Sequence, residues 1–526
     1  MQKVSRRKVL QGAAATASVV AAPRIVAAQV VRKNKLVIIS DVHIGDDSPW
    51  VWYQKRLHEP YLIRLLDHVI TNAASIRELI ILGDFVEFWT YPPDHRPPTF
   101  REIMAANPAI FGPNGKLSRV LTALGGRVTY VVGNHDMSLT QADLDFIQNP
   151  NGYKVRLHPG DVYFPLGNGD RRIACAHGHT WTLFNAPDPT TKHAPMPVGH
   201  YVCRAAGYMF KKRGQIVSEL ANQGAPNGMD LATLAKSVDA TIMDTLLSYT
   251  ANATGMSERE NIVLASGATT SIAEAKRLYA NVWDRFVAKG GGGPAGDLFV
   301  AKSTYAEVDG TYLPWFAQKM AVETGANLVV MGHTHRPIGG LKNGFINYIN
   351  TGFECPARPD IGKKHPTFAE VDIDRLRAGL YQVTAHAGGY SIDPHKAPAD
   401  TIVYGPTFDF STYVTVDNRH GKSDLHRKDF NAPHGHYVVP PPERIPRGAV
   451  ARFWIQDFPG PVGSEGSVTY VGTGNRTIVL KFGCPTGLLA NFASGASFRS
   501  RSASGRFKAP NRVPKTGHPF FVEFKT

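Results

Sequence analysis

The sequence predicts a layered α/β domain followed by an all-β domain, and three observations carry that prediction. Up to about residue 375, short apolar runs alternate with helix-like stretches such as 61–74 and 117–124. Five of the apolar runs end in polar tips built from Asp, His and Asn. From residue 401 onward the chain becomes a series of strand-like runs set between Gly/Pro turns. At 526 residues it is too long for a single core, so two or three domains are expected.

Taken in order, the chain opens on Ser5-Arg6-Arg7-Lys8-Val9-Leu10, a small and weakly apolar stretch, and Val26-Ala27-Ala28. This reads as a twin-arginine signal over residues 1–28, which predicts export of the folded protein to a periplasmic or extracellular location. No later run approaches the roughly 20 apolar residues of a spanning helix, so no transmembrane segment is expected in the mature chain. The strands come next: Leu36-Val37-Ile38-Ile39, Leu79-Ile80-Ile81-Leu82, Val128–Val132, Ile173-Ala174-Cys175-Ala176 and Leu328-Val329-Val330-Met331. A proline-rich loop with Trp89 and Tyr91 follows the second of them; it reads by default as a surface loop, with a border to the substrate as the alternative.

An insertion of about 185–322 separates the fourth and fifth tips. Helices are expected at 198–221, 230–252, 271–287 and 313–323, with a flexible break at Gly290–Gly293. Because it joins two tip-bearing strands, the insertion must emerge beside them and is read as a helical cap. Val238, Ile242, Leu246 and Tyr249 share a helical spacing, and Tyr201, Tyr208, Met209 and Phe210 form an apolar face, read first as cap packing. Residues 385–400 read as a linker, placing the domain boundary near 395 between a 29–395 domain and a 396–526 β-sandwich. Strands are expected at 413–416, 450–455, 468–471, 477–482 and 520–524.

The tips themselves are Asp41-Val42-His43, Gly83-Asp84-Phe85-Val86-Glu87, Gly133-Asn134-His135-Asp136, His177-Gly178-His179 and Gly332-His333-Thr334-His335. Each alone is an ordinary turn; five after apolar runs deliver carboxylates, imidazoles and an amide to one sheet edge. That donor set predicts a site for two divalent transition-metal ions, with Mn, Fe or Zn favoured over Mg or Ca by the imidazoles.

In order and spacing the five motifs resemble the calcineurin-like metallophosphoesterase superfamily. The resemblance implies a double-sheet sandwich flanked by helices. It assigns Asp41, His43 and His335 to one metal, Asn134, His177 and His333 to the other, and Asp84 to both. It further implies that His135, oriented by Asp136, acts on the leaving group. Glu87 is read as holding a ligand or a turn in place, and His179 as a support to the ligands, a substitute ligand, a substrate contact or a structural histidine. A dinuclear site of this kind hydrolyses a phosphate ester by attack of a metal-bridging hydroxide. Gly83-Asp84-Phe85-Val86-Glu87-Phe88-Trp89 resembles the branch containing UDP-2,3-diacylglucosamine pyrophosphohydrolases, which implies a phosphodiester or pyrophosphate bond; His179 stands where that branch carries Asp. A phosphomonoesterase with the same site is the alternative. An alternative of another class is a membrane- or polymer-binding protein with a vestigial core.

The chain holds 58 Lys/Arg and 43 Asp/Glu. The segment from residue 401 holds 16 Lys/Arg against 8 Asp/Glu, so the excess of positive charge gathers in the tail rather than round the motifs. Such a surface outside the cytoplasm predicts contact with anionic lipid or polymer rather than nucleic acid as a specific partner. The stretch 440–470 resembles aegerolysin-type β-sandwiches, which implies a lipid-facing or adhesive accessory domain. If the tail is a binder, deleting residues 401–526 is expected to spare hydrolysis of soluble substrates while abolishing liposome binding. The four cysteines show no paired spacing, and no disulfide framework is expected.

Overall fold

The parallel strands expected from the apolar runs form two sheets whose carboxyl ends point the same way. The computed structural model describes residues 32–187, 196–214, 241–308, 312–342, 344, 346–353, 365–400, 409–458, 460–487, 489–502 and 505–526. The signal segment and the 230–240 part of an expected helix, with Val238, lie outside these residues. In the first sheet, β1 (Lys35–Ile39), β2 (Ile76–Leu82), β3 (Val128–Val131) and β4 (Arg156–Leu157) run parallel. The second sheet holds β5 (Ile173–Cys175), β8 (Leu328–Met331) and β9 (Asn347–Asn350), also parallel. A small hairpin, β6 (Ile262–Val263) and β7 (Thr269–Thr270), lies in the insertion between β5 and β8. Leu36, Ile38, Ile80 and Leu82 from one sheet meet Ile173, Cys175, Leu328 and Val330 from the other in one buried core. Their opposite faces pack on helices, so β1, β3, β5, β8 and most of β2 are buried on both sides and read as continuous apolar runs.

Three antiparallel strands extend the first sheet: β10 (Thr367–Asp372), β11 (Arg377–His386) and β12 (Gly389–Pro394). This corrects the linker expected at 385–400. The Gly388-Gly389 pair turns the chain, Gly389 at φ 129°, and the following residues return as an edge strand. Its Tyr390 packs edge-to-face on Tyr61 of α1 (Lys55–Thr71), with ring centroids 4.8 Å apart. Glycine and histidine composition suggested a linker because an exposed edge strand needs no long apolar run.

In chain order the remaining helices are α2 (Phe100–Ala106), α3 (Pro108–Phe111), α4 (Lys116–Leu124), α5 (Gln141–Leu144) and then α6 (Val198–Arg213). They continue as α7 (Ile242–Thr254), α8 (Ile272–Leu278), α9 (Val282–Lys289), α10 (Gly293–Val308) and α11 (Leu313–Thr324). The single helix expected at 271–287 is two, α8 and α9, broken around Tyr279. The glycine run expected to be a break leads straight into α10, which composition had hidden. Tyr201, Met209 and Phe210 are buried, so this face of α6 is mostly packing.

The tail forms two five-stranded sheets. One holds β13 (Thr412–Asp417), β15 (His436–Val439), β17 (Val450–Gln456), β21 (Ser497–Ser502) and β22 (Phe520–Lys525). The other holds β14 (Leu425–His434), β16 (Arg444–Ile445), β18 (Gly463–Val471), β19 (Thr477–Pro485) and β20 (Phe492–Ser494). Val414, Phe453 and Phe524 from the first meet Val468, Leu480 and Phe482 from the second in one core. The outer face of the first sheet is apolar too. Tyr413, Trp454 and Phe521 join Trp315 and Phe316 of α11 in the large core shared with the insertion helices. The Trp315 and Trp454 rings stand 5.2 Å apart, and Trp315 Nε1 donates to Gln456 Oε1 at 2.8 Å. The tail therefore has a core of its own and also packs one sheet face on the insertion helices. Cys175, Cys203 and Cys484 are free thiols. No helix among the described residues is long and apolar enough to cross a membrane.

Candidate metal centre

All five tips leave the carboxyl ends of β1, β2, β3, β5 and β8, and backbone bonds lace them together. Asp41 N–H donates to the Gly83 carbonyl at 3.1 Å, His43 N–H to the Asp84 carbonyl at 2.8 Å, and Gly332 N–H to the His177 carbonyl at 3.0 Å. Five of the tip residues, Asp41, His43, Asp84, His333 and His335, have φ between 51° and 75°. Such left-handed backbone on non-glycine residues costs energy that the surrounding structure must offset, and it clusters at functional sites. A β-strand pattern cannot announce it, because the deviation begins where the strand stops.

Seven donor residues converge. Asp41, His43, Asp84 and His335 form one group and Asp84, His177 and His333 another, each with ligand atoms within 4.8 Å of one another. Asn134 joins the second group, its Oδ1 lying 3.3 Å from His177 Nε2 and 3.1 Å from His333 Nδ1. Asp84 is common to both groups, and its Oδ2 is 3.2 Å from His177 Nε2 and 3.8 Å from His43 Nε2. His43 Nε2 and His335 Nε2 face each other at 3.1 Å, an approach that needs a proton or a cation between them.

Outer contacts set the tautomers. His177 Nδ1 donates to the Leu82 carbonyl at 2.8 Å, and His43 Nδ1 to Glu87 Oε2 at 3.0 Å, which leaves Nε2 of each ring as a lone pair aimed at the cluster. His333 N–H donates to Asp41 Oδ1 at 2.9 Å. Donor types, shared carboxylate and fixed tautomers thus fit two divalent cations.

Two glycines make the convergence possible. A Cβ on Gly133 would lie 2.1 Å from Asp84 Oδ1, and one on Gly332 would lie 2.4 Å from Ser40 Oγ and 2.7 Å from Asp41 Oδ2. Gly133→Ala is expected to displace the shared carboxylate and lower metal occupancy severely while the fold persists. Metal analysis alongside circular dichroism checks this; full metal content in the variant would contradict the packing account.

The structure corrects the pairing of His135. Asp136 does not reach its ring: the Asp136 carboxylate accepts from Gly133 N–H at 2.6 Å, from Phe85 N–H at 2.9 Å and from the Tyr130 hydroxyl. It braces the Asp84 and Asn134 loops against each other. Glu87 holds His135 instead, accepting from its Nδ1 at 2.9 Å while also taking His43 and the N–H groups of Trp89 and Thr90. Burial pushes the Glu87 carboxyl up, but the charges and hydrogen bonds of His135 and His43 outweigh it and hold the group at about 2. The adjacent acid lost the role because residues i and i+1 in a tight turn point apart, whereas Glu87 approaches from the neighbouring loop.

Trp52, which the sequence did not single out, lies against three histidines of the site. Its ring centroid is 4.6 Å from His43 and 5.1 Å from both His135 and His335. Trp89 stacks on His135 at 4.5 Å, so two indoles and a carboxylate fix this imidazole. No motif could flag Trp52, since it sits in an irregular loop with no spacing to read. His179 is buried in a 3-10 turn with its ring 5.4 Å from His177, and it belongs to neither ligand group.

Within the cluster, burial disfavours a proton on His177, but Asp84 and Asp41 raise its affinity for one overall. Cations must displace that proton, so metal affinity is expected to fall as pH drops, by about tenfold or more between pH 8 and pH 6. Calorimetry in buffers of different ionisation heat would detect the released proton; pH-independent binding would contradict the assignment.

Residues 35–214 match the family described as Calcineurin-like phosphoesterase. The match spans the first four motifs; the fifth lies beyond it and joins the site through the geometry above. No curated protein matches the chain. Among solved structures, one titled "Crystal structure of lipid binding protein Nakanori at 1.5A" is 16% identical over 23% of this chain and 72% of that chain, with a TM-score of 0.18. The calcineurin-like phosphoesterase domain implies metal-dependent phosphoester hydrolysis.

Proposed function

We propose that the chain is a dinuclear phosphoesterase that hydrolyses a phosphodiester or pyrophosphate bond. The observation that carries this reading is the presence of Asp84 in two groups of side chains able to hold a metal ion. When bound, two divalent cations acidify water and neutralise phosphoryl oxygens. The chain's own residues do the rest. Glu87 fixes Nδ1 of His135, so Nε2 is the ring nitrogen left to meet the substrate, where a protonated imidazole gives its proton to the departing oxygen. Trp52 and Trp89 keep that ring from turning and exclude water from its faces. The likeness of the Asp84 block to pyrophosphohydrolases supports a bond with phosphorus between two substituents.

Export by the twin-arginine route and contact of the basic tail with an anionic surface belong to the same proposal and rest on the sequence. The deciding experiment pairs metal analysis with turnover of bis-(p-nitrophenyl) phosphate and p-nitrophenyl phosphate after Mn reconstitution. About two metals per chain with faster diester turnover supports the reading. Faster monoester turnover replaces the bond assignment, and absence of both metal and turnover removes the enzyme.

A further inference from the structure

His135 is held by the loop that follows β2, and that loop is in turn gripped by the insertion. Glu87 Oε1 accepts from His135 Nδ1 at 2.9 Å and from the N–H groups of Trp89 at 2.5 Å and Thr90 at 3.0 Å. One carboxylate thus ties the imidazole to the start of the loop, and the Trp89 indole stacks on the same ring at 4.5 Å. Beyond Tyr91 the loop runs through Pro92 and Pro93, which have no N–H to join a ladder, so its carbonyls need partners from elsewhere.

One face of α6 supplies them. His200, Arg204 and Gly207 stand at i, i+4 and i+7. His200 is buried and meets the Trp89 ring edge-to-face at 5.7 Å. Arg204 is 0% exposed, and its Nη2 lies 2.6 Å from the His95 carbonyl, 2.8 Å from that of Pro92 and 3.2 Å from that of Pro93. At Gly207 the helix touches the loop backbone: a Cβ there would lie 2.8 Å from the Tyr91 carbonyl carbon and oxygen. Gly199 brings the helix equally close to Trp89, where a Cβ would lie 3.3 Å from Cζ3. Val263 N–H of β6 donates to the Pro93 carbonyl at 2.8 Å, a second grip from the same insertion.

Taking a guanidinium wholly out of water is costly, and burial pulls this one down to about 10, where it is still charged at neutral pH. An aliphatic side chain would fill the same space without that cost. What the guanidinium adds is charge-assisted hydrogen bonding to the carbonyls of one short loop. The apolar face of α6 packs the cap; this polar face reaches the site.

We propose that Arg204 is a positioning residue for His135. By holding the 91–95 loop on α6 it keeps Trp89 and Glu87 against the imidazole, so the acid is complete only when the cap helix is seated. The role of His135 as an acid rests on the phosphoesterase reading; the holding of its ring does not.

Esters that differ only in leaving group read this coupling. p-Nitrophenolate departs with little need of a proton, whereas the more basic phenolate depends on one. In whichever ester class the chain turns over, Arg204→Met is expected to lower kcat for the phenyl ester at least about tenfold and for the p-nitrophenyl ester less than about threefold. Arg204→Lys keeps the charge and a donor group. It is expected to show the same selectivity at smaller size, and tests the role even where the methionine variant does not fold. With His135→Ala already in place, Arg204→Met is expected to add no further selective loss, because both act through one group. Lys212→Ala, at an exposed position of α6, is expected to leave both rates unchanged. Modification of His135 by diethyl pyrocarbonate, read by peptide mass spectrometry, follows the ring without turnover and is expected to quicken at least about fivefold in Arg204→Met. Equal losses for the two esters, additive losses in the double variant, or an unchanged modification rate would each overturn the positioning role. Faster modification in a chain that turns over no ester would support the positioning and remove the hydrolytic reading instead.

Discussion

Asp84→Asn is expected to lose metal and turnover together. The Asp84 side chain is buried at 1% exposure and stands in both ligand groups. Burial raises its affinity for a proton, yet His177, His135 and His43 outweigh that and keep it ionised. An amide at this position keeps one acceptor oxygen but removes the charge that two cations would share. Removing an outer partner of a metal ligand costs about 10–100-fold in affinity, so removal of this shared ligand is expected to exceed about 100-fold. His135→Ala provides the contrast. Its ring stands with His43 and Glu87 in a third group and in neither group that contains Asp84; with Nδ1 held by Glu87, metal content is expected to persist while kcat falls about 10²–10⁴-fold, the usual contribution of a positioned acid. Elemental analysis with kinetics on both variants separates the two roles. Full metal in the Asp84 variant would remove it from the shared position, and lost metal in the His135 variant would make His135 a ligand.

Deleting residues 401–526 is expected to abolish soluble, active protein, which reverses the expectation that the tail can be removed without harm. Trp454 is 1% exposed and packs on Trp315; Tyr413 and Phe521 stack parallel at 5.0 Å beside it. Without the tail, the outer face of α11 would meet water. That helix runs directly into β8, whose carboxyl end carries His333 and His335. Loss of a buried Trp typically costs about 3–5 kcal/mol, so Trp454→Ala is expected to lower thermal stability markedly even with the tail present. Solubility and thermal melting test this directly. A truncated chain that stays soluble and hydrolyses soluble esters at the full rate would show that the shared core carries no stability.

Much of the site was legible in the sequence because its chemistry is local. A strand of apolar residues must end where the sheet ends, and a polar tip at that point has one edge to occupy. The donor types Asp, His and Asn at five such tips therefore announced a metal centre. Glycine ahead of Asp84, Asn134 and His333 was visible as a turn residue, although the reason at Gly133 and Gly332 is the space that a carboxylate needs. What the sequence could not determine depends on contacts between segments far apart in the chain. Glu87 rather than Asp136 orients His135 because two loops from different strands meet, and Trp52 joins them from a third. The edge hairpin of β11 and β12 looked like a linker because exposed strands carry little apolar signal. Residue type and order determined which chemistry this protein can hold; the packing of sheets, loops and tail decided which side chains stand together to perform it.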